Sequence, residues 1–277
     1  MLVCVDCVTR KLGIPFLVVG AFARDILFRH IHGLPPARRT KDVDLAVQVR
    51  SWSDYDRLRS AALARADFAE YPERVERLVF RGQREVDIIP FGGVENADGV
   101  ITWPGDGATM SMIGFEEAKA CAVSVEVRTP DAKVAVSVVT VPALALLKFM
   151  AWGDRPDQRG DDVDDIGWVI ANYLGIGNIE RLRQGEHEDL PREHASDPDA
   201  MAARLLGRDI AAFASDRARQ ALRVLLESES SSRGHRRFAQ RLRSQYGGDF
   251  RRAQGILHSL LQGLTDNGGG GATEEQR

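Results

Sequence analysis

The sequence predicts an α+β fold in which a mixed β-sheet is flanked by helices and followed by an all-helical C-terminal region. Short apolar runs bounded by glycine, proline or charged residues recur at 16–19, 42–47, 76–81, 84–91, 123–127 and 133–141, giving five or six strands. Segments with apolar residues at helical spacing separate them, as in Phe22, Ile26 and Leu27. Beyond Ala200 the strand signal stops, and three helices account for the chain to about Leu264. The expected organisation is a first domain over 1–180, a linker over 181–198, a helical region over 199–265 and a disordered, glycine-rich tail over 266–277.

The composition sets limits. At 277 residues with 44% hydrophobic and 28% charged side chains, the chain has enough apolar material for one large or two modest cores. It holds no apolar run long enough to cross a bilayer and no secretory signal pattern at Met1–Cys4, so the cytoplasm and no membrane partner are expected. Three cysteines make no disulfide framework. Cys4-x-x-Cys7 lacks the second pair that a zinc site needs, and valines surround it, so it reads as core packing. His30 and His32 read as surface histidines.

Gly13-Ile14-Pro15 breaks the opening segment before the first strand, Phe16 to Val19. The turn Gly20-Ala21 follows, and Phe22 to His30 is predicted as one helix. Arg24 and Asp25 lie on its first turn; Arg24 either reaches a phosphate or pairs with an acid. After the loop Gly33-Leu34-Pro35-Pro36, Arg38, Arg39 and Lys41 crowd positive charge before a second strand that starts Asp42-Val43-Asp44. Residues i and i+2 of a strand share a face, so Asp42 and Asp44 project side by side while Val43 and Leu45 turn inward. Two carboxylates held so close repel each other unless a cation intervenes. Hard divalent ions such as magnesium take oxygen ligands of this kind together with substrate phosphates. The competing reading is a strand that merely enters from a solvated loop.

Ser51 or Ser53 caps a helix running to about Ala66, with Trp52, Tyr55 and Leu58 or Leu63 on its buried stripe. Glu76 to Arg81 and Arg84 to Phe91 form a hairpin around Gly82-Gln83. Asp87 is isolated among apolar residues of its second strand, which is costly if buried without a partner. It either joins Asp42 and Asp44 as a third carboxylate or pairs with an arginine, Arg81 or Arg84. Phe91 to Met110, with Trp103, is expected to be a long loop with a role in substrate contact. Phe115 to Cys121 is predicted helical, and two strands flank a Thr129-Pro130-Asp131 turn. Pro142 opens an apolar helix carrying one cation, Lys148, which either reaches the surface or faces an anion. Asp162 and Asp165 share a face of the next helix, ended by Gly175-Ile176-Gly177; an acidic helix start explains several of these acids unaided.

Together, Gly20-Ala21 at the head of a helix and Arg38-x-Thr40-x-Asp42-x-Asp44 resemble the nucleotidyltransferase core of the DNA polymerase β superfamily. The R-x-T-x-D-x-D form is most similar to AbiEii-type nucleotidyltransferases, the toxins of type IV toxin–antitoxin pairs. Arg159-x-x-Asp162-x-x-Asp165-Ile166 resembles a further element of that family, and GAFARD is similar to the G-G-x-x-R-D of CCA-adding transferases. The resemblance covers Phe16 to Tyr173 and implies a nucleotidyltransferase-type sheet. It implies two magnesium ions on Asp42, Asp44 and Asp87, with Asp87 helping to take the proton from the acceptor hydroxyl. A nucleoside triphosphate would lie on Gly20 and Ala21, near Thr40, with Lys148 and Arg24 toward its phosphates and Asp162 and Asp165 orienting Lys148 or a ribose. The family turn is usually Gly-Ser or Gly-Gly; alanine at 21 leaves only backbone N–H groups to hold phosphate.

The implied activity is transfer of a nucleoside monophosphate to tRNA or another acceptor, with a cognate antitoxin as a possible partner. A small-molecule transferase of the aminoglycoside-modifying type and a non-catalytic nucleotide- or partner-binding relic are the alternatives. From Met201 to Arg252, twelve arginines face five acids, although the whole chain is at −3. Such a basic helical region serves RNA contact, an acidic partner, or a solvated face equally well; no interleaving of its arginines with aromatic residues supports base stacking.

Overall fold

A computed structural model describes residues 1–35, 40, 42–130, 132–194, 196–230 and 236–266. The basic cluster Arg38, Arg39 and Lys41, the turn residue Asp131 and the tail from Asn267 lie outside these residues. The chain forms two compact units, Met1–Asp165 and Ile166–Arg277.

The first unit is built on a seven-stranded mixed sheet. Its strands are β1 (Phe16–Val19), β2 (Asp42–Val49), β3 (Phe68–Glu70), β4 (Arg77–Phe80) and β5 (Arg84–Gly92). A two-stranded ribbon, β6 (Val100–Thr102) and β7 (Thr109–Ser111), precedes β8 (Val123–Arg128) and β9 (Lys133–Val138). The order across the sheet is β3-β4-β5-β2-β1-β9-β8. β2 runs parallel to β5 and antiparallel to β1, and β1 runs parallel to β9. The central strands are apolar on both faces, with Leu17, Val18, Val43, Ala46 and Val86 fully buried, as a sheet covered on both sides requires.

Helices α1 (Leu2–Leu12), α2 (Gly20–Asp25), α3 (Trp52–Leu63), α4 (Phe115–Ala120) and α5 (Val141–Asp154) belong to this unit, and α6 (Gly160–Tyr173) runs through the division. Ser51 caps α3 by accepting from the Asp54 N–H, and Pro142 opens α5. α5 is buried almost all round, from Val141 to Trp152, which is what its nearly unbroken apolar sequence dictates.

Three expectations change. The helix predicted over Phe22 to His30 starts two residues earlier, and from Ile26 to Ile31 it widens into a π-helix. Phe22 is only half-buried, whereas the consecutive Ile26, Leu27 and Phe28 are all buried, more than a regular α-helical stripe covers. The predicted loop from Phe91 to Met110 contains the β6–β7 ribbon, whose Trp103 packs beside Trp52 and Tyr55 at ring separations of 5.5 and 5.8 Å. The opening segment is a full helix, ended by left-handed Gly13; on it Cys4 donates toward Asp67 at 3.7 Å, and Cys7 accepts from Arg65.

The second unit is helical throughout its described residues: α7 (Asn178–Arg183), α8 (Asp189–Glu193), α9 (Pro198–Phe213), α10 (Asp216–Ser230), α11 (Arg237–Leu242) and α12 (Phe250–Thr265). Four helices therefore stand where three are predicted from Ala200 on. The predicted polar linker over 181–198 carries α8, anchored by the fully buried Leu190. α9 and α12 pack backbone to backbone: a Cβ on Gly207 would lie 2.2 Å from the Leu260 carbonyl, and one on Gly263 1.9 Å from that of Arg204. Many of the arginines are engaged within the unit, Arg204 and Arg208 with Asp266, Arg208 also with Asp189, and Arg252 with Asp199. No helix among the described residues is long and apolar enough to cross a membrane.

Candidate active site

The site grows from the register of three neighbouring strands. Asp44 of β2 is paired with Asp87 of β5, and Asp87 with Arg77 of β4. Residues directly opposite in a ladder point to the same face, so one row across the sheet reads Arg77, Asp87, Asp44. Two residues along β2, Asp42 is opposite Glu85 on the same face. Carboxylate oxygens of Asp42, Asp44 and Asp87 lie within 4.8 Å of one another, a donor set suited to a hard divalent cation. β1 ends with Val19 opposite Asp44, which brings the following turn onto the carboxylates. Gly20 sits there at φ 66°, and a Cβ at that position would lie 1.9 Å from Asp44 Oδ2. Only glycine permits both the left-handed backbone and this approach.

Charge is unevenly shared in the trio. Burial first, then the neighbouring Asp42 and Asp87, push the Asp44 carboxyl up to about 7, against the pull of Lys148 and Arg159. Asp87 is instead held by a guanidinium fork: Arg77 Nε and Nη2 donate to its two oxygens at 2.6 and 2.9 Å. Arg77 also reaches Asp42 at 3.4 Å and pairs with Glu85, and Arg74 approaches Asp87 at 3.5 Å. The hydrogen bonds Arg77 donates to Asp87, with the charge of the surrounding carboxylates, outweigh burial and raise its pKa above the ordinary value. Asp87 is thus both the third carboxylate and one half of an arginine pair. Its partner is Arg77, where Arg81 or Arg84 was expected; Arg81 pairs with Asp67.

The trio opens into a cleft of about 640 Å³. Gly20, Ala21, Lys148, Arg155, Arg159 and Asp162 line it with the trio. Ile89, Trp103, Met110, Phe115, Leu144 and Leu147 give it an apolar wall. The β6–β7 ribbon that carries part of this wall is tied to the end of α5: Ser111 N–H donates to Asp154, and Arg155 donates to the Thr109 carbonyl. Among the described residues, eight carboxylates and five cations line the cleft, so by itself it repels a polyphosphate.

Lys148 is buried, with Nζ 2.6 Å from Asp162 and 2.8 Å from Asp165. Burial pulls its pKa down, but the two carboxylates more than offset this and hold the ammonium above its usual range. Asp165 also accepts from Arg24, which is wholly buried and further pairs with Asp25 at 2.6 Å and donates to Thr40 at 3.3 Å. Thr40 in turn donates to Asp25. The structure therefore brings Gly20, Ala21, Lys148 and Asp162 to the same cleft as Asp42, Asp44 and Asp87. Arg24, Thr40 and Asp165 form a buried network behind Lys148 and are not part of the cleft wall. Arg24 has no exposed surface, and its guanidinium is engaged by Asp25 and Asp165.

Sequence reasoning passed over Arg77, Arg74 and Arg155. For Arg77 a signal was present: closing the hairpin around Gly82-Gln83 with Phe80 opposite Arg84 places Arg77 opposite Asp87. No protein-family model, curated protein or solved structure matches the chain.

Proposed function

We propose that the chain is a metal-dependent nucleotidyltransferase that moves a nucleoside monophosphate from a nucleoside triphosphate to an acceptor hydroxyl, breaking the α–β phosphoanhydride bond and releasing pyrophosphate. The observation that carries this reading is the convergence of Asp42, Asp44 and Asp87 beside Gly20, in a cleft that Lys148, Arg155 and Arg159 also line. Its oxygen donors fit magnesium, and the surplus of carboxylates over cations explains why a triphosphate would need divalent ions to enter. Asp42, Asp44 and Asp87 would hold up to two such ions, which when bound supply Lewis-acid activation of the α-phosphate and screen its charge.

The chain's own groups divide the remaining work. The Gly20-Ala21 turn offers backbone N–H groups to phosphate oxygens. Lys148 keeps one of its three N–H donors beyond those given to Asp162 and Asp165, and it lines the cleft. The Asp87 carboxylate accepts the proton of the attacking hydroxyl. The apolar lining that includes Ile89, Met110 and Leu147 would pack against the uncharged part of the substrate.

The resemblance to AbiEii-type toxins makes tRNA or another RNA the first acceptor to test, with an antitoxin as a possible partner. A second reading, a small cationic acceptor of the aminoglycoside kind, is favoured by the acids Glu73, Glu76 and Asp106 in the cleft lining. Both are separated by incubating the protein with magnesium, each α-labelled triphosphate, and either total tRNA or an aminoglycoside panel. Label in RNA supports the first, and label in the small molecule the second. No transfer to either, with no difference between the native chain and one carrying Asp42→Asn and Asp44→Asn, overturns the enzyme reading.

A further inference from the structure

Within that reading, the unusual element is the cation already present. Both oxygens of Asp87 are engaged by Arg77 at 2.9 Å or less, whereas among the described residues none donates a hydrogen bond to Asp44. The guanidinium is held from several sides: opposite Asp87 in the β4–β5 ladder, paired with Glu85, and 5.6 Å from the centre of the Tyr71 ring. Its side chain is only 10% accessible. An arginine, planar, permanently charged and weakly hydrated, suits such a buried fork better than a lysine would.

We propose that Arg77 is a built-in counter-cation on the Asp87 side of the trio: the site takes one divalent ion, on Asp42 and Asp44, while the guanidinium stays, and a second only when it leaves. The inference rests on the carboxylates being a cation site. Like charges set the order of events. The guanidinium reaches Asp42 at 3.4 Å, so either position feels its charge, but an ion bridging Asp44 and Asp87 must displace the fork held at 2.6 and 2.9 Å, whereas one on Asp42 and Asp44 leaves that fork intact. Arg74, Arg77 and the flanking Glu73 and Glu76 all line the cleft, so a guanidinium that leaves Asp87 has the cleft itself to enter. There an anionic phosphate would be its natural new partner. Arg77 is in this view a positioning residue, which couples arrival of the phosphate-bearing substrate to completion of the metal centre.

The test uses the full-length protein and manganese alone, with free Mn²⁺ counted by electron paramagnetic resonance. The native chain is expected to bind one ion per molecule, and Arg77→Gln two over the same concentration range. Asp44→Asn should abolish the first site in both backgrounds. Two ions on the native chain, or one on both proteins, overturns the role of Arg77 and leaves the cation site standing. No binding by either overturns both.

Should Arg77→Gln fail to fold, the native protein gives the answer in a magnesium titration followed by ¹⁵N resonance of the Arg77 Nε–H, identified by its loss in Arg77→Lys. That signal should persist through the first binding step and vanish only in a second, weaker one. Its loss in the first step overturns the proposal.

Discussion

Two acidic clusters share the first unit of this protein, and they are wired differently. From the cleft wall inward, Asp162, Asp165 and Asp25 are tied to Lys148 and Arg24 through contacts of 2.6 to 2.8 Å and shorter. On the neighbouring central strands β2 and β5, Asp42, Asp44, Asp87 and Glu85 share chiefly one guanidinium, that of Arg77. The first arrangement is close to neutral and lies deep; the second keeps excess negative charge where the cleft opens. Charge that is matched in the interior holds elements together, while charge left unmatched beside a cavity is available to a ligand.

Substitution of one acid from each cluster gives the widest separation. Asp165→Ala strips a buried carboxylate from two cations and is expected to cost about 3–5 kcal/mol in urea unfolding. Asp44→Asn removes a crowded charge and should leave stability unchanged or higher, while lowering nucleotide transfer by roughly 10³-fold. Equal losses of stability in the two variants would erase the distinction. Gly20→Ala sharpens it from the backbone side, since the new Cβ would drive into Asp44 Oδ2 from a left-handed residue. It should destabilise the fold by about 1–3 kcal/mol and weaken manganese binding about tenfold or more.

Acidity provides the next handle. With the Asp44 carboxyl raised from 3.8 to about 7 in the folded chain, the native state holds a proton that the unfolded chain releases between those values. Stability of the metal-free protein should therefore decline as pH rises from about 4 to about 7 and level off above. Manganese affinity should move the opposite way, falling about tenfold per unit below pH 7, and added metal should raise the melting temperature more at pH 8 than at pH 5.5. A pH-independent affinity would break this link between crowding and metal. The smallest effect belongs to the turn: Ala21→Ser restores a hydroxyl donor, worth about 1 kcal/mol or about fivefold in triphosphate affinity by calorimetry.

Local pattern was enough for the strand starting at Asp42 and for the lone carboxylate of Asp87, because a two-residue period and an apolar background are both visible within a few residues. The cap at Ser51, the turn at Gly82-Gln83 and the largely apolar helix opened by Pro142 are likewise short-range signals. Arg24 was not decidable that way. Its partner Asp165 is 141 positions away, and nothing near Arg24 announces which acid will meet it. The π-helix after Asp25 and the β6–β7 ribbon also answer to tertiary packing, Ile26, Leu27 and Phe28 being buried together and Trp103 finding two other aromatic rings. Arg77 falls between these cases, legible once a hairpin register is counted out but silent to periodicity alone.

The contact of α9 with α12 has a consequence for how the molecule is made. Gly207 and Gly263 let two main chains touch where any side chain would wedge them apart. The surface that α9 presents therefore has no substitute cover while the ribosome is still adding the residues in between. That close contact can form only once residues 250–265 have emerged. For the helical unit, closure comes late in synthesis, and that interval is when a holding chaperone would find it.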